Sequence, residues 1–255
     1  MPATAILFFF IIGACMGSFM NVIIFRLPRG ESIVFPGSRC PGCGRPIRPH
    51  ENIPIFGYLL LRGKCAGCGV RISPRYPFVE LLTAAGFAAI AWHANDGWML
   101  LGDLLFFALL VPIVFIDIDH MIIPDELSLG GLAAGIILSF LPGGDWKDSL
   151  LGALLGGGVL FATAFLYEKF RSAEGMGGGD VKLLAMIGAF LGWRGAVLTL
   201  FFGSFLGAAG GLIAMKRSGN GLRTAIPFGP YLCVAALLVR YLGEWFWKMA
   251  FPVIP

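Results

Sequence analysis

Apolar sequence in long, nearly uninterrupted blocks constrains this chain more than any other feature. Runs at 4–25, 78–94, 97–116, 122–141, 149–167, 181–193, 195–215 and 226–247 are read against the roughly 20 residues that carry an α-helix across a bilayer. They predict an all-α polytopic membrane protein with about eight transmembrane helices. The sixth run, VKLLAMIGAFLGW, is short for a span. Composition agrees, since 13% of the residues are charged where a soluble domain carries about 25%. Glycine is abundant, and GALLGGG and GSFLGAAGG repeat the small-residue spacing that lets membrane helices approach closely. Helix packing is the expected use of those glycines.

One hydrophilic segment interrupts the pattern and divides the chain into a first transmembrane helix at 1–25, a small loop domain at 26–77 and a transmembrane helical domain at 78–255. The segment holds nine Lys and Arg residues. With alternating spans, Lys169, Arg171, Lys182, Lys216, Arg217 and Arg223 fall on the same side, against Lys147, Arg194, Arg240 and Lys248 on or near the other. By the positive-inside rule the basic side is cytoplasmic, which puts both termini on the opposite side. The start MPATA has no basic residue and NVIIFRLPRG no small-residue cleavage pattern, so the first run is read as a retained helix and not a signal peptide. A net charge of +4 reflects this cytoplasmic bias and attraction to anionic lipid. It does not argue for nucleic acid.

Four of the six cysteines form two C-x2-C knuckles, Cys40-Pro-Gly-Cys43 and Cys65-Ala-Gly-Cys68, each followed by glycine. That spacing suits one tetrahedral zinc ion held by four thiolates. Two disulfides are the competing reading, but a cytoplasmic loop keeps its thiols reduced. A closed four-cysteine site leaves no open position for chemistry, so the zinc is expected to be structural. The segment is also rich in proline and lacks helical periodicity, which predicts a loop-rich fold that relies on its metal. Cys15 and Cys233 lie in apolar runs and are read as small hydrophobes.

Two acidic motifs sit in apolar surroundings, FIDIDHMIIPD at 115–125 and GMGGGD at 175–180. A carboxylate at membrane depth costs roughly 2.5–3.5 kcal/mol even on lenient insertion scales, so such residues face a protein or water-filled interior. The span count places both motifs on the cytoplasmic face. Asp117 interrupts its apolar run where no helix cap is needed. Asp119, two residues on, cannot share its helix face and is read as solvated or a local structural partner. Asp125 follows Pro124 at a helix start, where an acid is ordinary. Asp180 follows three glycines and reads either as a helix N-cap or as a functional acid. His120 is a lone histidine in a turn, not a ligand. GMGGGD lacks the strand, Lys and Ser/Thr of a phosphate loop, and neither a serine-nucleophile elbow nor H-E-x-x-H is present. The hydrolytic chemistry left is a carboxylate dyad sharing one proton, in which one acid activates water and the other polarises a peptide carbonyl.

Taken together, GSFMNVIIFRLPRG (17–30), the two CxxC knuckles, ISPRYPFVELLTA (72–84), DIDHMIIPDELS (117–128), GMGGGDVKLLAMIGAFLGW (175–193) and PFGPY (227–231) cover nearly the whole chain. In them the sequence resembles the type IV prepilin peptidases, bifunctional aspartic leader peptidases and N-methyltransferases of the bacterial inner membrane that serve pilus and type II secretion systems. The resemblance implies that Asp117 and Asp180 are the catalytic aspartates. It also implies cleavage after a Gly at the end of a short basic leader on prepilins or pseudopilins whose next segment is an apolar helix. Methylation of the new N-terminal residue with S-adenosylmethionine would follow. No Rossmann-like pattern supports the methyl transfer from the residues themselves.

Two other classes compete. An ion-coupled transporter would also place carboxylates at helix breaks, though near the midplane of repeated halves, and no internal repeat is visible. A non-enzymatic assembly scaffold would need no paired acids on one face.

Overall fold

The computed structural model describes residues 2–94, 96–171, 177–218 and 226–250. Arg223, and Gly175 and Met176 of the glycine motif, lie outside the described residues. The fold is all-helical: α1 (Ala3–Arg26), a short α2 (Phe56–Leu60), α3 (Arg75–His93), α4 (Gly97–His120), α5 (Asp125–Leu138), α6 (Trp146–Arg171), α7 (Gly178–Ser218) and α8 (Gly229–Ala250). Among the described residues, four stretches are long and apolar enough to cross a membrane: Ala3–Arg29, Gly97–His120, Trp146–Phe170 and Gly178–Lys216. The run expected over 122–141 is helical for only 14 residues, because Pro124 bars the helix from starting earlier. The chain divides into two compact units, Met1–Pro112 and Ile113–Pro255, at a proline inside α4.

In the first unit, α1 crosses α3 at the two glycines of GACMG. A Cβ on Gly13 would stand 2.7 Å from the Thr83 carbonyl oxygen, and one on Gly17 would stand 2.6 Å from Glu80 Cα. Backbone contact of this closeness is what small residues allow in membrane helices. Asn21 Nδ2 continues the seam by donating to the Tyr76 carbonyl at 3.0 Å. The loop domain holds more helix than its sequence predicts, with a 3₁₀ turn at Pro49–Asn52 leading into α2. The reason lies outside the segment: Ile55, at φ 63°, donates its N–H to Glu80 Oε2 on α3 at 2.7 Å, and Gly57 packs on the Glu51 carbonyl. A carboxylate supplied from another helix starts α2, and periodicity cannot reveal it.

In the second unit the sixth and seventh apolar runs form the two arms of α7, which breaks at Gly192, where φ is 71° and ψ −179°. A straight helix of 41 residues would run about 60 Å. The neighbours show that it folds back instead. Ser149 Oγ donates to the Ala189 carbonyl at 2.7 Å, Gly152 meets Gly188, and Gly156 meets Leu184, so α6 and the first arm of α7 run antiparallel. Trp193 stacks edge-on against Trp247, whereas Gly203 meets Leu232 and Gly207 meets Phe228. The second arm therefore descends along α8 to the end from which the first arm rose. Gly192 takes a conformation that side chains resist, and Asp148 sits where its Cβ would be, accepting the Trp193 N–H at 3.3 Å. That carboxylate serves the second arm as an N-terminal cap from α6.

The glycine seam carries a prediction. Gly152→Ala pushes α6 off the Gly188 backbone and lowers stability by about 1–3 kcal/mol, the usual range for overpacking. Gly158→Ala, with nothing within 4 Å of its Cβ position, does not. Thermal unfolding of both variants in detergent separates the outcomes.

Candidate active site and metal centre

Asp117 closes the buried face of α4. It is 4% exposed, and its Oδ2 accepts the backbone N–H of Gly229 at 3.0 Å. Gly229 is the first residue of α8, so the carboxylate meets an amide that the helix itself leaves unbonded. The chain leaves α4 at once: Met121 turns with φ 53° and bonds the Asp117 carbonyl at 2.9 Å. Ile123 then lies between two glycines. A Cβ on Gly179 would approach Ile123 Cβ at 3.1 Å, and one on Gly229 would approach Ile123 Cδ1 at 3.2 Å. Two further residues on, Asp125 pairs with Lys182 Nζ at 2.6 Å, fastening the start of α5 to the first turn of α7.

Asp180 stands between these two ties, half-buried in the first turn of α7. The helix begins at Gly178, so Asp180 is its third residue and not the N-cap. Its carboxylate lies within electrostatic range of Asp117, and both act on Cys233, one turn along α8 from Gly229. The acidic motifs thus meet at one end of the second unit. Asp119 and His120 are exposed, and Asp125 is an exposed ion-pair partner. Cys233 is buried at 1% exposure, as expected of a small hydrophobe, whereas Cys15 is exposed on α1. Sequence reasoning quoted Gly229 within PFGPY and counted Lys182 for topology, but gave neither a role at the site. The Gly-Pro pair opening the last apolar run was the available signal for Gly229, but nothing in it points to a carboxylate 112 positions away.

The cysteine knuckles form two matching turns. Cys40 N–H bonds the Arg45 carbonyl at 2.9 Å and Gly44 N–H the Cys40 carbonyl at 2.8 Å; Cys65 with Val70 and Gly69 with Cys65 repeat the pattern, both at 2.9 Å. Gly44 and Gly69 take left-handed φ of 70° and 73°, the reason glycine follows each knuckle. The four sulfurs all lie within 4.8 Å of one another, with Cys40 and Cys68 at 3.8 Å. Four thiolates about 2.3 Å from one zinc ion stand about 3.8 Å apart, so the donor set fits. All six cysteines are free thiols, not disulfides. The N–H groups of Cys68 and Gly67, then Arg45, pull the Cys65 thiol down to about 6. Cys68 moves oppositely, to about 11: the Val70 N–H lowers it, but desolvation and the neighbouring sulfurs outweigh that. Four thiols this close cannot all ionise alone, which is the electrostatic problem that a divalent cation resolves. Arg45 is held in turn by Glu51 at 2.7 and 2.8 Å.

Comparison with known proteins divides the chain similarly. Residues 11–94 match the bacterial peptidase A24 N-terminal domain, and residues 104–212 match the type IV leader peptidase family. A prepilin leader peptidase/N-methyltransferase of Pseudomonas aeruginosa is 37% identical, covering 95% of this chain and 92% of its own. One of Aeromonas hydrophila is 37% identical over 92% and 90% of the two chains. One of Myxococcus xanthus is 44% identical over 84% of this chain, which spans 64% of that protein's length. No solved structure matches.

Proposed function

This chain belongs to the type IV leader peptidase family and carries its enzymatic function, prepilin leader cleavage with N-methylation, and from that premise we propose that Asp117 and Asp180 are the paired acids that cleave the leader. The observation that carries this is the buried Asp117 carboxylate, oriented by the Gly229 amide and within electrostatic range of Asp180. With one proton between the two, the ionised acid takes a proton from water as that water attacks the scissile carbonyl. The protonated acid hydrogen-bonds the carbonyl oxygen and stabilises the charge that develops there. Either aspartate can fill either role. The Gly229 N–H fixes one lone pair of Asp117 and leaves the others for water or peptide.

Within this reading the helical runs are eight membrane spans, namely α1, α3, α4, α5, α6, the two arms of α7, and α8. The basic loops then place the dyad at the cytoplasmic face of the inner membrane. Exposed Phe161, Phe165, Phe201 and Phe205 face acyl chains. The substrate is a prepilin or pseudopilin with a short basic leader ending in Gly ahead of an apolar helix. Cleavage of such a purified substrate in detergent, lost on Asp117→Asn or Asp180→Asn and retained on Asp119→Asn, is the test. S-adenosylmethionine supplies the methyl group.

Cys40, Cys43, Cys65 and Cys68 hold one structural zinc ion, which neutralises the four thiolates and ties the two knuckles together. Protein purified without chelator contains one zinc per chain by metal analysis, and Cys65→Ser lowers that content. Stripping the metal opens 26–77 to proteolysis while the helical signal in circular dichroism persists, since the membrane helices hold through their own packing. A zinc-free protein with an equally protected loop would overturn the assignment.

A further inference from the structure

The short helix α2 keeps an apolar stripe on its outer face. Phe56, Leu59 and Leu60 stand at i, i+3 and i+4, which share one side of a helix, and they are 64%, 60% and 75% exposed. The other side is occupied within the first unit: Gly57 is buried against the Glu51 carbonyl, and Tyr58 and Leu61 line the cavity between α1, the cysteine loop and α3. A contiguous apolar face of this kind marks an interaction surface. Its depth follows from the ties of α2. Glu80, which accepts the Ile55 N–H at the start of α2, packs its backbone on Gly17 of α1, where a Cβ would stand 2.6 Å from Glu80 Cα. Gly17 lies nine residues before Arg26, about 14 Å at 1.5 Å per residue, inside the stretch Ala3–Arg29 that is long and apolar enough to cross a membrane. On α3 the neighbours of Glu80, Phe78 and Leu81, are exposed too. The start of α2 is thereby held beside the membrane-crossing stretch and not out beyond its end.

The flanking charges match such a place. Arg62 and Lys64 follow α2 at once, Lys64 pairs by backbone with Arg71, and all three are exposed. Segment 53–64 contains no acid, and the acids behind it are engaged, Glu51 with Arg45 and Glu80 with the Ile55 amide. Cations beside an apolar stripe with no acid among them suit an anionic headgroup layer, because their long stems let the charges reach out of the apolar region. We propose that α2 is an interfacial helix that docks on the anionic cytoplasmic leaflet of the membrane carrying the chain, with Phe56, Leu59 and Leu60 among the acyl chains and Arg62, Lys64 and Arg71 on lipid phosphates. The proposal rests on the reading of α1 and α3 as spans and adds a lipid contact to the loop domain between them. The chain turns at Arg62 and Gly63, with φ of 50° and 66°, directly into the knuckle of Cys65 and Cys68, so a docked α2 pins that knuckle to the membrane surface.

Photolabelling from the lipid tests it on the full-length protein. Vesicles of phosphatidylethanolamine and phosphatidylglycerol carry a trace of phosphatidylcholine with a diazirine in its acyl chain, and labelled peptides are read by mass spectrometry. Label per residue on 56–60 equals that on exposed Phe161 and Phe165, while the knuckle tips at exposed Cys43 and Cys68 stay at background. Vesicles of phosphatidylcholine alone, or Arg62→Gln/Lys64→Gln in the anionic vesicles, lower the α2 label severalfold, since each cation near an anionic surface is worth about fivefold. Background label on 56–60 beside strong label on Phe78 and Leu81 would overturn the docking alone. Background label on both would defeat the reading of α3 as a span. Label on 56–60 indifferent to headgroup and to the charge variant would overturn the anionic pairing, and label displaced by added purified prepilin would give the stripe to the substrate instead.

Discussion

Asp117→Asn and Asp180→Asn each abolish leader cleavage, with a loss of at least the upper part of the about 10²–10⁴-fold that one acid–base group contributes. In the proposed dyad the two acids work as a unit, so removing either takes away both the proton that polarises the carbonyl and the base that activates water. Asn keeps the shape. At position 117 it can also still accept the Gly229 N–H, so the fold survives, which circular dichroism and size-exclusion chromatography verify. Asp119→Asn and Asp125→Asn retain cleavage, because one side chain is exposed and the other is an exposed partner of Lys182. Should Asp117→Asn cleave normally while Asp119→Asn fails, the catalytic role has been given to the wrong acid of the DIDHMIIPD motif. Wild-type activity falls on both sides of a pH optimum, because protonating the base and ionising the acid each remove one role. Methylation of a pre-cleaved substrate persists in both Asn variants, since methyl transfer to an amine needs no water-activating pair.

Gly229→Ala costs cleavage about 10²-fold while leaving the protein folded. A Cβ at this position would lie 2.7 Å from Asp117 Oδ2, and the group able to move away is the end of the Asp117 side chain. The displaced carboxylate loses its aim at the scissile bond, and misplacement by about 1 Å is enough for a loss of that size. Stability changes little, because the clash is with the mobile end of a side chain and not with backbone. Gly192→Ala behaves in the opposite way. It forces a side chain onto a left-handed backbone and against Asp148, so it destabilises the turn between the two arms of α7. Kinetics and thermal melting measured on both variants distinguish the two kinds of glycine. A Gly229→Ala enzyme with wild-type kcat/KM would show that the amide contact does not position Asp117.

Helix content and the four-cysteine cluster were legible along the chain because both rest on local pattern. An apolar run states its own length, and a C-x2-C-Gly turn carries within a few residues the φ that it requires, seen at Gly44 and Gly69. The position of Asp117 was legible too, since an acid within an apolar run is costly wherever the run ends up. Its orientation was not, because the donor that aims it belongs to Gly229 on α8. Asp180 shows the limit from the other side: a run of glycines before an acid reads either as a cap or as a functional acid, and the helix starts earlier, leaving Asp180 in its first turn within electrostatic range of Asp117.

The sequence by itself therefore determined the class of the protein, its all-helical character and the clustering of four cysteines, and it marked Asp117 and Asp180 as acids in apolar surroundings, each set by residue type and near-neighbour spacing. Tertiary structure alone decided that α7 reverses at Gly192, that Asp148 on α6 caps its second arm, that Glu80 starts α2 from across the first unit, and that Gly229 and Asp180 converge on Asp117. These contacts join residues tens of positions apart through backbone approaches that glycine permits but does not specify. A glycine shows where a partner can come close, and only the packed helices show which partner does.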